Sequence, residues 1–280
     1  MNASTASAGL GLLSAASWGG SDFVGGLAAR RSPALLITAS GQAASLLILI
    51  VICLAAHLAA PGAHSLVLAG VAGLEASLAL ALFYRALSMG AMGLTAALTG
   101  LTTALIPVVF SALRYGLPGP VTAAGLAAGC AAIWLITHQP AASRGVSAHA
   151  LLFGTLAGMG FGSQLILFKL AEPANMLWIM TVARAAGVTA LLLVILAARP
   201  RTEGHGFWGP GIATGLLDTI GTLWYLAAAQ FGRLDTAAVV CSLYPAGTIV
   251  LAAIALRERP TRRQLAGMAL ALGAVALLSV

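Results

Sequence analysis

Long hydrophobic stretches without a single acidic or basic side chain dominate the pattern along this chain. Residues 32–74 contain no Asp, Glu, Lys or Arg, and similar runs cover 86–113, 115–143, 145–168, 236–256 and 264–280. A helix needs about 20 apolar residues to cross roughly 30 Å of hydrocarbon. The first run is long enough for two such helices, and Pro61-Gly62 predicts the turn between them. None of the runs alternates between polar and apolar residues, as a lipid-facing barrel strand would.

The runs therefore predict an all-α membrane protein with ten transmembrane helices. Four of these helices must accept a charged residue well inside an apolar stretch. The loops between them are too short for a soluble domain, so we expect one integral membrane domain. The predicted helices cover residues 8–29, 34–56, 66–88, 92–113, 119–138, 148–169, 175–198, 209–230, 235–256 and 261–280.

An internal repeat divides the chain into two units, residues 1–142 and 143–280. A shift of 142 residues without gaps places Gly20-Ser21 on Gly162-Ser163 and Gly125 on Gly267. Each unit holds five predicted helices, and an odd number forces the two units to insert with opposite orientation. The sequence therefore predicts two inverted five-helix repeats, a design that places a binding site near the bilayer midplane between the halves.

Composition supports a membrane protein and excludes several functions. Hydrophobic residues make up 60% of the chain and charged residues only 8%, against about 25% charged residues in soluble domains. The net charge of +7 comes from scattered arginines without a basic face or stacking aromatics, so we expect no nucleic-acid partner. Cys53, Cys130 and Cys241 lie singly in apolar runs, which predicts neither a metal site nor a disulfide.

Other short signals point the same way. The chain has no P-loop, HExxH or GxSxG motif, so we expect neither an enzyme nor a cofactor. The first residues lack a basic segment, and we expect the first apolar stretch to remain as a helix. Most arginines fall in the odd-numbered predicted loops, which by the positive-inside rule places both termini outside.

Four charged residues lie well inside apolar stretches: Asp22, Glu75, Arg184 and Asp218. Burying such a group in a bilayer costs about 2.5–3.5 kcal/mol on insertion scales, so it usually faces a cavity or a partner. Arg184 with Glu75 or Asp218 would supply the cation and the anion that a zwitterionic amino acid requires. The alternative is that these residues only neutralise one another.

The repeat brings polar residues of the two halves into register. In the first predicted helix, Trp18 and Asp22 share one face, which would form a cavity wall; the alternative is that Asp22 lies near the helix end and reaches water or Arg30. Asp218, Thr222 and Tyr225 form a similar stripe on the eighth. The shift pairs Asp22 with Gln164, Gln42 with Arg184, and places Glu75 one position from the counterpart of Asp218.

Aromatic residues and prolines complete the candidate site. Four aromatic residues are candidates for packing on an apolar substrate group: Tyr84, Trp224, Tyr225 and Tyr244. Pro107 and Pro245 leave backbone carbonyls unpaired inside predicted helices and are hinge candidates.

Three short segments resemble EamA-type transporters of the drug/metabolite superfamily. They are Ser17-Trp18-Gly19-Gly20-Ser21, Tyr244-Pro245, and Arg257-Glu258-Arg259-Pro260-Thr261 followed by Gln264-Leu265-Ala266-Gly267. The first half departs from the pattern, because Tyr115-Gly116 stands where the second half has Glu258.

This resemblance implies a secondary transporter in the bacterial inner membrane. The sequence as a whole is similar to bacterial exporters of amino acids, including aromatic ones. The alternatives are efflux of drugs or other metabolites, and a non-transporting scaffold or lipid-handling protein. The expected partners are the lipid bilayer and a small-molecule substrate, with protons as a candidate coupling ion, and we expect a monomer or weak dimer.

Overall fold

The fold was analysed in a computed structural model. It describes residues 3–28, 31–88, 92–137, 148–171, 175–200, 206–255 and 261–278. These residues form helices joined by short connections and contain no strand. The all-α prediction is therefore confirmed for the described part of the chain.

Eleven helices follow one another along the described residues. Nine of the ten predicted helices are found as single helices near their predicted bounds, and the predicted helix 235–256 is divided into two. The helices are α1 (Ala3–Ala28), α2 (Ala34–Ala55), α3 (Ala63–Ser88), α4 (Met92–Tyr115), α5 (Pro120–Thr137), α6 (Ala148–Leu170), α7 (Met176–Ala198), α8 (Trp208–Phe231), α9 (Leu234–Cys241), α10 (Tyr244–Ala255) and α11 (Arg262–Leu278).

Seven helical segments of the described chain are long and apolar enough to cross a membrane. They lie in α2, α3, α4, α6, α7, α8 and the segment Leu234–Ala255. Large apolar side chains such as Leu193, Leu196 and Ile254 are more than 60% exposed, which suits a surface in contact with lipid. The arrangement of ten spans as two inverted repeats stays a prediction.

The break between α9 and α10 lies at Ser242 and Leu243, and Pro245 is the second residue of α10. Proline has no N–H to donate to the helix, so the preceding turn is released. The break brings the Tyr244 carbonyl against α1 at Gly19, where a Cβ atom would lie 2.6 Å from the Tyr244 oxygen. Pro107, by contrast, lies inside the continuous helix α4.

Small residues allow the helices to pack closely. Gly41 of α2 faces Gly215 of α8, and on α6 a Cβ atom at Gly158 would lie 2.6 Å from the Thr99 oxygen of α4. Close backbone approach of this kind is the usual basis of helix association in membranes. The contacts join helices of the first predicted half to helices of the second and hold the walls of a central cavity.

Candidate functional site

A cavity of about 140 Å³ lies between the two predicted halves. Helices α1, α2, α3 and α4 of the first half and α6, α7, α8 and α10 of the second contribute to its wall. Its polar and aromatic lining residues are Trp18, Ser21, Asp22, Thr38, Gln42, Phe83, Thr103, Phe161, Gln164, Arg184, Thr214, Asp218, Thr222 and Tyr244.

Arg184 and Asp218 form an ion pair in the cavity, and their side chains differ in exposure. The Arg184 guanidinium donates through one terminal nitrogen to a carboxylate oxygen of Asp218. The Arg184 side chain is 10% exposed and that of Asp218 is 38% exposed, so the cation is fixed in the wall while the carboxylate borders the open space. The Arg184 Nε is buried and has no hydrogen-bond partner in the part of the chain that the structure describes.

Asp22 is the second carboxylate of the cavity. Among the residues that the structure describes, it has neither a hydrogen bond nor an ion pair, and its charge interacts with that of Asp218. Two carboxylates and one guanidinium leave the cavity with one uncompensated acid when all three groups are ionised. Asp22 is therefore the carboxylate to which the ammonium group of a ligand would bind.

Trp18 lines the cavity beside these charged residues. Its Nε1 donates to the Asp218 backbone oxygen at 3.3 Å and approaches the Thr222 hydroxyl oxygen at 3.4 Å. Its ring stacks on Tyr225 at 6.2 Å and meets Tyr244 edge-on at 6.5 Å. The indole therefore connects α1 to the same turn of α8 that carries Asp218.

Gln42 is held in place by residues that sequence patterns did not single out. Ser77 of α3 donates to the Gly73 oxygen at 2.9 Å and lies 3.5 Å from Gln42 Oε1. Gly187 of α7 leaves room for this amide, since a Cβ atom there would collide with it. The small residue on α7 is what allows the glutamine of α2 to reach the cavity.

The structure brings together most of the predicted site residues, but not all. Seven of them line the cavity: Trp18, Asp22, Gln42, Gln164, Arg184, Asp218 and Tyr244. Glu75, Trp224 and Tyr225 are not among the described lining residues. Tyr84 belongs to α3, but its side chain lies outside the described residues.

The positions of Glu75, Trp224 and Tyr225 on their helices explain why these three residues do not line the cavity. Glu75 lies next to the α3–α6 contact at Gly160, and one of its carboxylate oxygens is buried without a partner among the described residues. Trp224 is 37% exposed on the outside of α8. Tyr225 is fully buried behind Trp18, and its hydroxyl donates to the Leu165 oxygen at 2.6 Å. Tyr225 therefore supports the wall and does not form its surface.

The residues that sequence reasoning missed divide into two kinds. Thr214 precedes Asp218 by four positions, so extending the polar stripe of α8 towards its beginning would have found it. Phe83 and Phe161 meet edge-on across the cavity wall with ring centres 6.3 Å apart. Nothing in the sequence distinguishes these two from other apolar residues of their helices.

Polar contacts tie helix ends together at one end of the bundle. The Arg233 guanidinium donates to both carboxylate oxygens of Asp235, and it also donates to the Gly116 oxygen at 3.3 Å. The hydrogen bond with Asp235 raises the pKa of Arg233 above its usual value. Nearby, Lys169 of α6 donates to the Ala229 oxygen of α8. These contacts connect α4, α6 and α8 to the beginning of α9.

Comparison with known proteins adds the family to this geometry. Residues 148–280 match the EamA-like transporter family. A solved structure described only as "Crystal structure of protein" is similar in fold, with a TM-score of 0.75 and 18% identity over 97% of this chain and 95% of that chain. This likeness shows the fold alone, and no curated protein matches the chain in sequence. Residues 148–280 are therefore similar to an EamA-like transporter domain, and the chain is a multi-pass membrane protein.

Proposed function

We propose that this protein is a secondary transporter of the bacterial inner membrane that exports amino acids, including aromatic ones, from the central cavity. The observation that carries the proposal is one cation, two carboxylates and several aromatic rings in a single cavity between the predicted halves. Direction and membrane follow the resemblance to EamA-type exporters.

An amino acid has a partner for each of its parts in this cavity. Its ammonium group would bind the unpaired Asp22, and its carboxylate would bind the Arg184 guanidinium. An aromatic side chain would pack against Trp18, Tyr244 or Phe161, where edge-on and offset stacking are favourable. The volume of about 140 Å³ limits the substrate to a small molecule.

Alternating access would carry the substrate past the midplane. In inverted-repeat transporters, one half rocks against the other around a fixed site, and interrupted helices border that site. The interruption between α9 and α10 places Tyr244 in the cavity wall and gives one half a place to bend. Pro245 is the hinge candidate at this position, and Pro107 is its candidate counterpart in α4.

Flux from proteoliposomes tests the function. Liposomes containing the purified protein are loaded with labelled L-phenylalanine, and efflux is timed against protein-free liposomes. We expect protein-dependent efflux that Arg184→Gln abolishes and Asp22→Asn slows, while Thr189→Ala, an exposed change on α7, leaves it intact. Efflux no faster than from protein-free liposomes would contradict the proposal for this class of substrate.

The same liposomes test protons as the coupling ion. Asp22 and Asp218 are protonatable groups in the cavity, so a pH gradient is expected to change the efflux rate of the wild type. The rate should lose its dependence on the gradient in Asp22→Asn. Identical wild-type rates with and without a gradient would show uncoupled diffusion of the substrate.

Efflux of drugs is the alternative that one observation favours. The aromatic rings and the net negative charge of the cavity also suit a flat organic cation. Resistance profiles of cells that produce the protein separate the two substrate classes. Protection against cationic drugs without any effect on amino-acid export would favour the alternative.

A further inference from the structure

The guanidinium that an amino acid would need is already occupied. Arg184 donates to Asp218, a carboxylate of the protein that stands where a substrate carboxylate would stand. Arg184 is the only basic residue among the described residues that line the cavity. Asp218 contacts one terminal nitrogen of this guanidinium, so a substrate carboxylate that binds Arg184 shares its single positive charge with Asp218.

A decarboxylated amine faces no such competition. Its ammonium group would bind Asp22, which has no other partner among the described residues, and the Arg184–Asp218 pair would remain intact. An amino acid with the same side chain brings a second carboxylate to the guanidinium that Asp218 already contacts. The two ligands differ by a single carboxylate, so their relative affinity reports on whether that carboxylate displaces Asp218.

We infer that Asp218 is a specificity-determining residue: it occupies Arg184 in place of a substrate carboxylate, so an amino acid must displace it and an amine need not. This inference rests on the proposed function, because it concerns the same cavity and substrate. The displacement is an exchange of ion pairs in which no covalent bond changes.

The local structure allows this exchange. Asp218 borders the cavity with 38% of its side chain exposed, whereas Arg184 is 10% exposed and stays in the wall. The Asp218 backbone is anchored, since its oxygen accepts hydrogen bonds from Trp18 Nε1 at 3.3 Å and from the Thr222 hydroxyl at 2.9 Å. Only the carboxylate therefore needs to turn away.

Charge is balanced during the exchange. A released Asp218 carboxylate interacts with Asp22, and two carboxylates without a cation would repel each other. The ammonium group of the amino acid, placed between them, compensates this charge, while its carboxylate replaces Asp218 on Arg184. The Arg184 Nε has no hydrogen-bond partner among the described residues, and it adds a donor that the new carboxylate could reach after a small shift.

Two ligands with one skeleton test the inference on the purified full-length protein. L-phenylalanine and phenethylamine differ only in the carboxylate, and calorimetry gives a Kd for each. Asp218→Asn keeps the shape of the side chain but weakens its hold on Arg184. We expect the affinity for L-phenylalanine relative to phenethylamine to rise about tenfold, since hydrogen bonds between charged groups are worth this much or more.

Asp22→Asn is the matched control, because it removes the same charge from the same cavity and leaves the Arg184–Asp218 pair in place. Both ligands carry the ammonium group, so both should bind more weakly and their relative affinity should stay within about threefold. A change in relative affinity equal to that of Asp218→Asn would show a general charge effect and overturn the inference.

A second variant covers the case in which Asp218→Asn does not fold. Arg184→Gln removes the group for which the carboxylates compete, and L-phenylalanine should lose about tenfold more affinity than phenethylamine. Equal losses would overturn the inference. If the wild type transports L-phenylalanine and neither variant alters the relative affinity, only the inference fails; if it binds and transports neither ligand, the proposed function fails with it.

Discussion

The contact of α1 with the interrupted helix gives a sharp test of how the cavity is held. At Gly19, a Cβ atom would lie 2.6 Å from the Tyr244 oxygen, 2.9 Å from the Thr248 nitrogen and 3.0 Å from the Gly247 Cα. All three are backbone atoms, so no side chain can rotate away. Restoring an ordinary contact of about 3.4 Å would separate α1 from α10 by about 0.8 Å.

Gly19→Ala is therefore expected to destabilise the protein by about 2–3 kcal/mol, the upper part of the usual range for an overpacked core, because only backbone atoms are in the way. The melting temperature should fall by roughly 5 °C or more, at about 2–4 °C per kcal/mol for a chain of this size. The neighbouring Trp18 would move relative to Tyr244, which it meets at 6.5 Å, so substrate affinity should fall as well. Thermal unfolding in detergent and ligand titration measure the two effects.

Gly9→Ala provides the matched control on the same helix. A Cβ atom at Gly9 meets no other atom within 4 Å, and the residue is exposed. Alanine favours a helix over glycine by up to about 1 kcal/mol, so this variant should be as stable as the wild type or slightly more stable. Equal stability of the two variants would refute the conclusion that close backbone contact holds α1 against α10.

Three further predictions concern the contacts around the cavity. Tyr225→Phe removes the buried hydrogen bond to the Leu165 oxygen and should lower the free energy of unfolding by about 1 kcal/mol, measured by denaturation; an unchanged value would contradict this role. Arg233→Gln leaves the buried Asp235 carboxylate without its cation and should lower the free energy of unfolding by about 2 kcal/mol. This is less than for a fully buried pair, because the Arg233 side chain is 36% exposed, and Asp235→Asn should partly restore the stability. Pro245→Ala should slow efflux from liposomes while thermal stability stays near wild type, and an unchanged rate would remove the main support for a hinge.

Local features of the sequence were sufficient to place the helices. Charge-free runs, their lengths and the Pro-Gly turn depend only on neighbouring residues and on the thickness of a bilayer, so the bounds of α2, α6 and α7 agree with prediction to within one residue. The hinge candidate Pro245 lies beside an interruption that the prediction of one helix over 235–256 did not include, whereas the hinge candidate Pro107 lies in the continuous helix α4. Proline interrupts one helix and not the other, so the packing around each proline determines whether its helix breaks.

Which residues of each helix face the cavity could be predicted only in part from the sequence. Residues that the predicted repeat pairs line one cavity, since Asp22 and Gln164 both belong to its wall, as do Gln42 and Arg184. The direct counterpart of Asp218 is Ala76, which also lines the cavity, while Glu75 does not. One position along a helix turns a side chain by about 100°. That rotation decides that Asp218, and not Glu75, meets Arg184, and only the packed structure fixes which side of α3 faces the cavity.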